Sequence, residues 1–161
     1  MNRCKNNYNW HPDILGDGFE KRYVELPDDY SGQVRCTVIR KESDKDTTKA
    51  VLYVHGFSDY FFQKEMAEML VSNGYNFYAV DLRKYGRSFM EHQHLFQVRN
   101  LEEYFADIEA ALQIIKEDGN LRVALLGHST GGLTSSLYMA KNPSPMVKAL
   151  VPVSYTHLRA H

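Results

Sequence analysis

The sequence predicts an α/β fold, an N-terminal β hairpin followed by a mostly parallel sheet with helices on both faces. Three observations predict it. The continuous apolar run Ala50-Val51-Leu52-Tyr53-Val54 suits a strand buried on both faces of a parallel sheet. Amphipathic helical stretches alternate with further strand-like segments along the rest of the chain. Ahead of them, two β segments flank a turn signal.

The elements follow in order. Residues 1–20 are polar and Gly-rich and read as a loose lead-in. Residues 21–26 and 33–40 form the hairpin around Pro27-Asp28-Asp29-Tyr30-Ser31-Gly32, with β-branched Val34, Thr37, Val38 and Ile39 in its second strand. Residues 41–49 are charged and without period, which predicts a surface loop. After the strand at 50–54, Phe62, Met66, Met69 and Leu70 recur at helical spacing, and Asn73-Gly74 stops that helix. A strand at 76–81 and an irregular stretch at 86–99 come next. Leu101, Tyr104, Phe105, Ile108, Ala111, Leu112 and Ile115 then hold one helical face. Asn100 caps this helix, Glu103 takes the capping-box position and Gly119 ends it. A strand at 121–126, a helix at 132–141 closed by Asn142-Pro143, and a strand at 146–151 complete about six strands.

Composition narrows the function classes. The 161 residues suffice for one domain with a real core. Nineteen Lys+Arg balance 20 Asp+Glu, so the basic footprint of a nucleic-acid partner is absent. No apolar run approaches the roughly 18 residues of a membrane span, and the first residues lack the apolar stretch of a signal peptide. Two cysteines, Cys4 and Cys36, cannot build a disulfide framework or a structural zinc site. A cytoplasmic protein is expected. No cofactor is implied, since neither G-x-x-x-x-G-K nor a helix-opening G-x-G-x-x-G occurs.

Ligands in such sheets bind beyond the carboxyl ends of the strands, so chemistry is sought after Val54, Val80 and Leu126. After Leu126 stands Gly127-His128-Ser129-Thr130-Gly131, a G-x-S-x-G between a strand and a helix, the setting of a nucleophile elbow. The tight turn exposes the serine Oγ, Gly127 and Gly131 avoid collisions, and Gly132 lets the helix pack closely. The competing reading is a glycine-rich turn with an incidental serine. His128 is expected to pack or hydrogen-bond below the elbow rather than act as base.

After Val54 stands His55-Gly56-Phe57-Ser58-Asp59, where this architecture supplies a backbone N–H to an oxyanion hole. The Phe57 N–H, paired with that of Thr130, is the candidate. His55 reads as a base or, by preference, as a residue orienting the loop. Phe61 and Phe62 are candidates for an acyl pocket, with core packing the alternative for Phe62 on the helix's apolar face. After Val80, Asp81 reads as a catalytic carboxylate or, by preference, as a structural partner of its loop or an arginine. His92 and His94 lack a further ligand cluster for a metal and read as exposed loop histidines.

Together, His55-Gly56-Phe57-Ser58-Asp59, Asp81-Leu82-Arg83-Lys84-Tyr85-Gly86-Arg87-Ser88 and Gly127-His128-Ser129-Thr130-Gly131-Gly132 resemble the α/β-hydrolase superfamily. They look like its branch of monoacylglycerol lipases, lysophospholipases and serine aminopeptidase-like hydrolases. The resemblance spans residues 12–151. It implies Ser129 as nucleophile, Phe57 and Thr130 as oxyanion donors, and acyl transfer from a small ester or acyl lipid to Ser129 followed by hydrolysis. A peptidase or amidase, or a non-catalytic binding protein on the same fold, are the alternatives.

The sequence departs from that pattern in one respect. The family's triad runs Ser, then Asp or Glu, then His, yet no Asp or Glu follows Ser129. Residues 153–161 match a translation of sequencing-adapter DNA, GTC TCT TAT ACA CAT CTC CGA GCC CAC, so His157 and His161 are not taken as the base. The expected organisation is therefore a lead-in at 1–20, the N-terminal part of a hydrolase domain at 21–151, and a foreign tail at 152–161. The acid, the histidine and the cap are expected beyond Val151. A natural short protein with its own tail is the competing reading.

Overall fold

The computed structural model describes residues 9–153. Its strands are β1 (His11–Pro12), β2 (Glu20–Asp29), β3 (Gly32–Lys41), β4 (Lys49–Val54), β5 (Asn76–Asp81), β6 (Arg122–His128) and β7 (Val147–Val153). Its helices are α1 (Lys64–Ser72), α2 (Phe105–Glu117) and α3 (Thr130–Lys141), with short 3-10 turns at Gly86–Ser88 and Leu101–Tyr104.

One seven-stranded sheet runs β1-β2-β3-β5-β4-β6-β7. The β5-β4-β6-β7 half is parallel, whereas β1-β2, β2-β3 and β3-β5 pair antiparallel. The strands after the hairpin pair in parallel with one another as expected, and the hairpin joins the same sheet through β3, so the whole sheet is mixed.

Strand alternation divides the core in two. Ala50, Leu52 and Val54 of β4 face α2 and α3, packing with Tyr78, Val80, Ile108, Ala111, Ile115 and Tyr138. Val51 and Tyr53 face the other way, with Ile39, Phe77, Ala79, Phe61 and Ala67 of α1. Each buried aliphatic side chain contributes roughly 1.5–3 kcal/mol.

Register places the site. Val54 pairs with Val80 on one side and Gly127 on the other, so β4, β5 and β6 end at one level. The chain leaves β4 toward β5, then returns across it to β6. The crevice at that reversal lies between the ends of β4 and β6.

Several expectations change. Residues 9–20 are not loose: Trp10, Asp13 and Phe19 are buried, the Arg40 guanidinium lies 4.0 Å from the Trp10 ring centroid, and β1 pairs with β2. The hairpin turn is tighter than 27–32. The Asp29 carboxylate accepts from Ser31 N–H and hydroxyl, Gly32 takes φ 95°, and a bulge between Leu26 and Asp29 absorbs Pro27. The helix after β4 starts at Lys64, so Phe62 precedes it and is exposed, while Phe61 is fully buried among Phe19, Tyr53 and Phe77. The Asn100 side chain accepts from Glu102 N–H, and Glu103 reaches Arg99 N–H instead of the cap's own. β7 extends to Val153, past the expected end at 151.

Cys36 is buried and free; Cys4, His157 and His161 lie outside the described residues. Among the described residues, no helix is long and apolar enough to cross a membrane.

Candidate active site

Ser129 is the single residue between β6 and α3. Its backbone sits at φ 55°, ψ −123°, a conformation that costs a non-glycine residue about 1–3 kcal/mol. The surrounding glycines enforce it. A Cβ on Gly127 would meet the Gly131 carbonyl oxygen and Gly132 Cα at 2.6 Å, and one on Gly131 would meet the Val54 carbonyl oxygen at 2.2 Å. Ser129 N–H donates to the Val153 carbonyl at 2.9 Å, and the Ser129 carbonyl accepts from Gly132 N–H at 2.9 Å. A Cβ on Gly56 would lie 3.1 Å from Ser129 Cβ and 3.6 Å from its Oγ, so the loop after β4 closes directly on the serine.

That loop is stapled by His55. Its Nε2 accepts from Leu82 N–H at 3.0 Å, so Nδ1 carries the proton and donates to the Gly56 carbonyl at 2.8 Å. The ring is buried 4.7 Å from that of Tyr85, and burial lowers its basicity, which keeps the imidazole neutral. With both nitrogens engaged, His55 ties the loop after β4 to the loop after β5.

Asp81 is likewise committed. It accepts from Phe61 N–H, Arg87 N–H and the Arg87 guanidinium, at 2.9, 3.0 and 2.9 Å. Arg87 also forms a bidentate pair with buried Asp13 at 2.7 and 2.9 Å. Asp81 is therefore the structural partner of its loop and of an arginine. The Asp13 end of this network had no local sequence signal, since it lies 74 residues from Arg87.

Two expected positions differ. His128 is half-exposed rather than bonded below the elbow; its Nδ1 has no hydrogen-bond partner and faces the Asp59 carboxylate at 3.9 Å. The Phe57 N–H, expected to be open, donates to Thr130 Oγ1 at 2.6 Å. The Thr130 N–H opens α3 and belongs to the first helical turn, whose N–H groups lack a helical partner one turn back.

Beside this pair lies a cavity of about 190 Å³, walled by Phe57, Tyr85, Phe96, Leu101, Tyr104 and Thr130. Phe96 joins its walls, 5.5 Å from the Phe57 ring and 4.8 Å from Tyr85. His92 bonds the Gln33 carbonyl at 2.9 Å and His94 is exposed. No cluster of three His, Cys, Asp or Glu suited to a metal occurs among the described residues.

The structure thus brings Gly127, His128, Ser129, Thr130, Gly131 and Gly132 against His55, Gly56 and Phe57 at the carboxyl ends of β4 and β6. The strained serine lies beside a helix N-terminus, where N–H groups favour negative charge, and against a second loop.

Comparison with known proteins bears on the fold and the family. Phospholipase YtpA of Bacillus subtilis (strain 168) is 28% identical over 102 residues, covering 63% of this chain and 38% of that protein. A probable hydrolytic enzyme (PA3053) from Pseudomonas aeruginosa PAO1 superposes with TM-score 0.67 at 21% identity, covering 83% of this chain and 40% of that one. Epoxide hydrolase VrEH1 from Vigna radiata gives TM-score 0.63 at 24% identity, covering 84% and 40%. The thioesterase domain of the curacin biosynthetic pathway gives 0.58 at 24%, covering 78% and 42%. The chain therefore spans about two fifths of the length of these proteins, and the structural likenesses establish the fold. The family model described as serine aminopeptidase, S33, matches residues 45–155, so the chain belongs to that family of the α/β-hydrolase fold.

Proposed function

We propose that this chain carries the nucleophile and the oxyanion loop of a serine carboxylester hydrolase acting on small esters or acyl lipids. The observation that carries the reading is Ser129 at φ 55°, held by glycines that leave no room for any other residue type. A binding scaffold has no need of such strain at a serine. Ser129 would form the acyl-enzyme, and water would release it. The oxyanion would sit between the loop carrying Phe57 and the N-terminus of α3 at Thr130. His55, Gly56, His128 and the glycines at 127, 131 and 132 would support that geometry.

The triad acid and histidine would come from sequence beyond Val151, since no Asp or Glu follows Ser129 in the chain. Without them an unactivated hydroxyl is a weak nucleophile, and the 161-residue chain alone is expected to turn over no ester. The name of the Bacillus relative supports an acyl-lipid substrate. The family description favours a second reading, an aminopeptidase or amidase on the same machinery.

Fluorophosphonate labelling of the full-length gene product tests the serine chemistry. Ser129 should be the modified residue, and Ser129→Ala should abolish labelling. Absence of labelling on the wild type would defeat the reading. Ester and aminoacyl substrate panels then separate the two substrate classes.

A further inference from the structure

We infer that the Thr130 hydroxyl is itself an oxyanion donor, with the Phe57 N–H acting behind it rather than on the substrate. This rests on Ser129 being the nucleophile. The Phe57 N–H donates to Thr130 Oγ1 at 2.6 Å, so that donor is already engaged and the hydroxyl proton must point elsewhere. A threonine within a helix commonly turns its proton back to the carbonyl four residues earlier. For Thr130 that residue is Leu126, inside β6, where no such helical carbonyl exists. The Thr130 carbonyl accepts from Thr134 Oγ1 at 2.9 Å, but among the described residues the Thr130 hydroxyl proton has no acceptor.

Thr130 adjoins Ser129, is exposed, and lines the cavity that Phe57 also walls. Accepting a bond from an N–H makes a hydroxyl a stronger donor. The hydroxyl and the Thr130 N–H then come from one residue at the N-terminus of α3, which favours developing negative charge. As Ser129 Oγ bonds to the carbonyl carbon, its proton passes to the enzyme's imidazole base and the carbonyl π pair moves onto oxygen. Thr130 keeps its proton and donates a hydrogen bond to that oxygen.

The competing geometry is a plug, in which Thr130 merely occupies the Phe57 N–H until substrate displaces it. The two differ in sign. In the full-length enzyme, Thr130→Val keeps the shape and removes the hydroxyl. As a donor, its loss lowers kcat by about 10²–10³ with KM little changed, and Thr130→Ser restores most of it. As a plug, the valine variant is as fast as wild type or faster, which overturns the inference, as does a serine variant no better than valine. Thermal unfolding of each variant verifies folding. Should the valine variant fail to fold, Thr130→Ala against Thr130→Ser carries the same comparison. The Phe57 amide proton resonance, followed by NMR, should move upfield when the hydroxyl is removed; an unmoved resonance also overturns the inference. A wild type that does not label with fluorophosphonate marks failure of the nucleophile assignment instead, visible before any Thr130 variant is made.

Discussion

Gly131 of α3 lies so close to Val54 of β4 that a Cβ on the glycine would stand 2.2 Å from the valine carbonyl oxygen. The neighbouring His55 carbonyl oxygen would be 2.4 Å away. Both obstacles are backbone, so neither can turn aside. Gly131→Ala should therefore lift the start of α3 from the sheet and cost about 3 kcal/mol or more, read as a fall in the urea unfolding midpoint. Gly16→Ala is the control. Gly131 is helical, so only crowding opposes its Cβ; the Gly16 backbone is left-handed, at φ 66°, but nothing lies within 4 Å of its new Cβ. It should cost only about 1–2 kcal/mol. A loss at Gly131 no larger than that at Gly16 would show that the start of α3 shifts easily, and that the close approach does not set the glycine requirement.

His55 predicts a pH dependence. Burial pushes its basicity down, and although Asp81 and Asp59 pull the other way, burial prevails. The unfolded chain therefore binds the proton more readily than the folded one. The stabilisation from neutral His55 is fully present above its unfolded pKa of about 6.5 and is lost as the pH falls toward its folded value. His55→Phe keeps a ring beside Tyr85 but leaves Leu82 N–H and the Gly56 carbonyl unpaired. It should cost roughly 1–3 kcal/mol per buried group at pH 7 and flatten the loss of stability between pH 7 and 5. A variant with the wild-type slope would place that titration on another group.

The parts of this fold legible in sequence are those with local causes. The strand expected at 76–81 has those bounds, Asn76–Asp81, because the Gly74 turn precedes it and Phe77 to Val80 form a continuous apolar run. The elbow was legible because its spacing is local, with Gly127 answering to Gly131 and Gly132, although Gly131 itself answers to Val54 and His55 on another strand. What the sequence hid depends on distant partners. Nothing near Asp13 signals a buried pair with Arg87, and nothing near Trp10 signals the Arg40 guanidinium over its ring. Phe62 is exposed and Phe61 packs in the core because the helix begins two residues later than the spacing from Phe62 implies. The engagement of Phe57 N–H by Thr130 Oγ1 joins two motifs 73 residues apart that could only be counted separately.

Arg87→Lys tests the network below the site. Arg87 binds the carboxylates of Asp13 and Asp81, both with fully buried side chains, and also donates to the Phe61 carbonyl at 2.9 Å. A lysine keeps the charge but cannot reach both carboxylates in a planar fork. The substitution should cost about 2–4 kcal/mol in equilibrium unfolding. The segment from residue 11 to 20 should loosen with it, read as faster amide exchange at Asp13, whose N–H donates to the Phe19 carbonyl. Unchanged exchange there would show that Asp13 is held by other contacts.

The outer strand makes the last prediction. β7 ends the sheet order and, among the described residues, pairs with β6 alone. Leu150, Val151 and Val153 are 36%, 44% and 41% exposed, and the strand carries Lys148 as its only charge. An apolar strand with one unpaired edge is a template for pairing with another chain. Pro152 removes one donor but leaves the other residues of the edge able to bond. The 161-residue chain should therefore associate with rising concentration, seen by light scattering across a dilution series. Val151→Lys adds a charge to the exposed strand and should shift the population toward monomer without loss of the folded signal. Ile14→Lys, on the exposed turn after β1 at the opposite side of the sheet, adds the same charge and should not. A wild-type chain that stays monomeric at high concentration would show that this edge is protected.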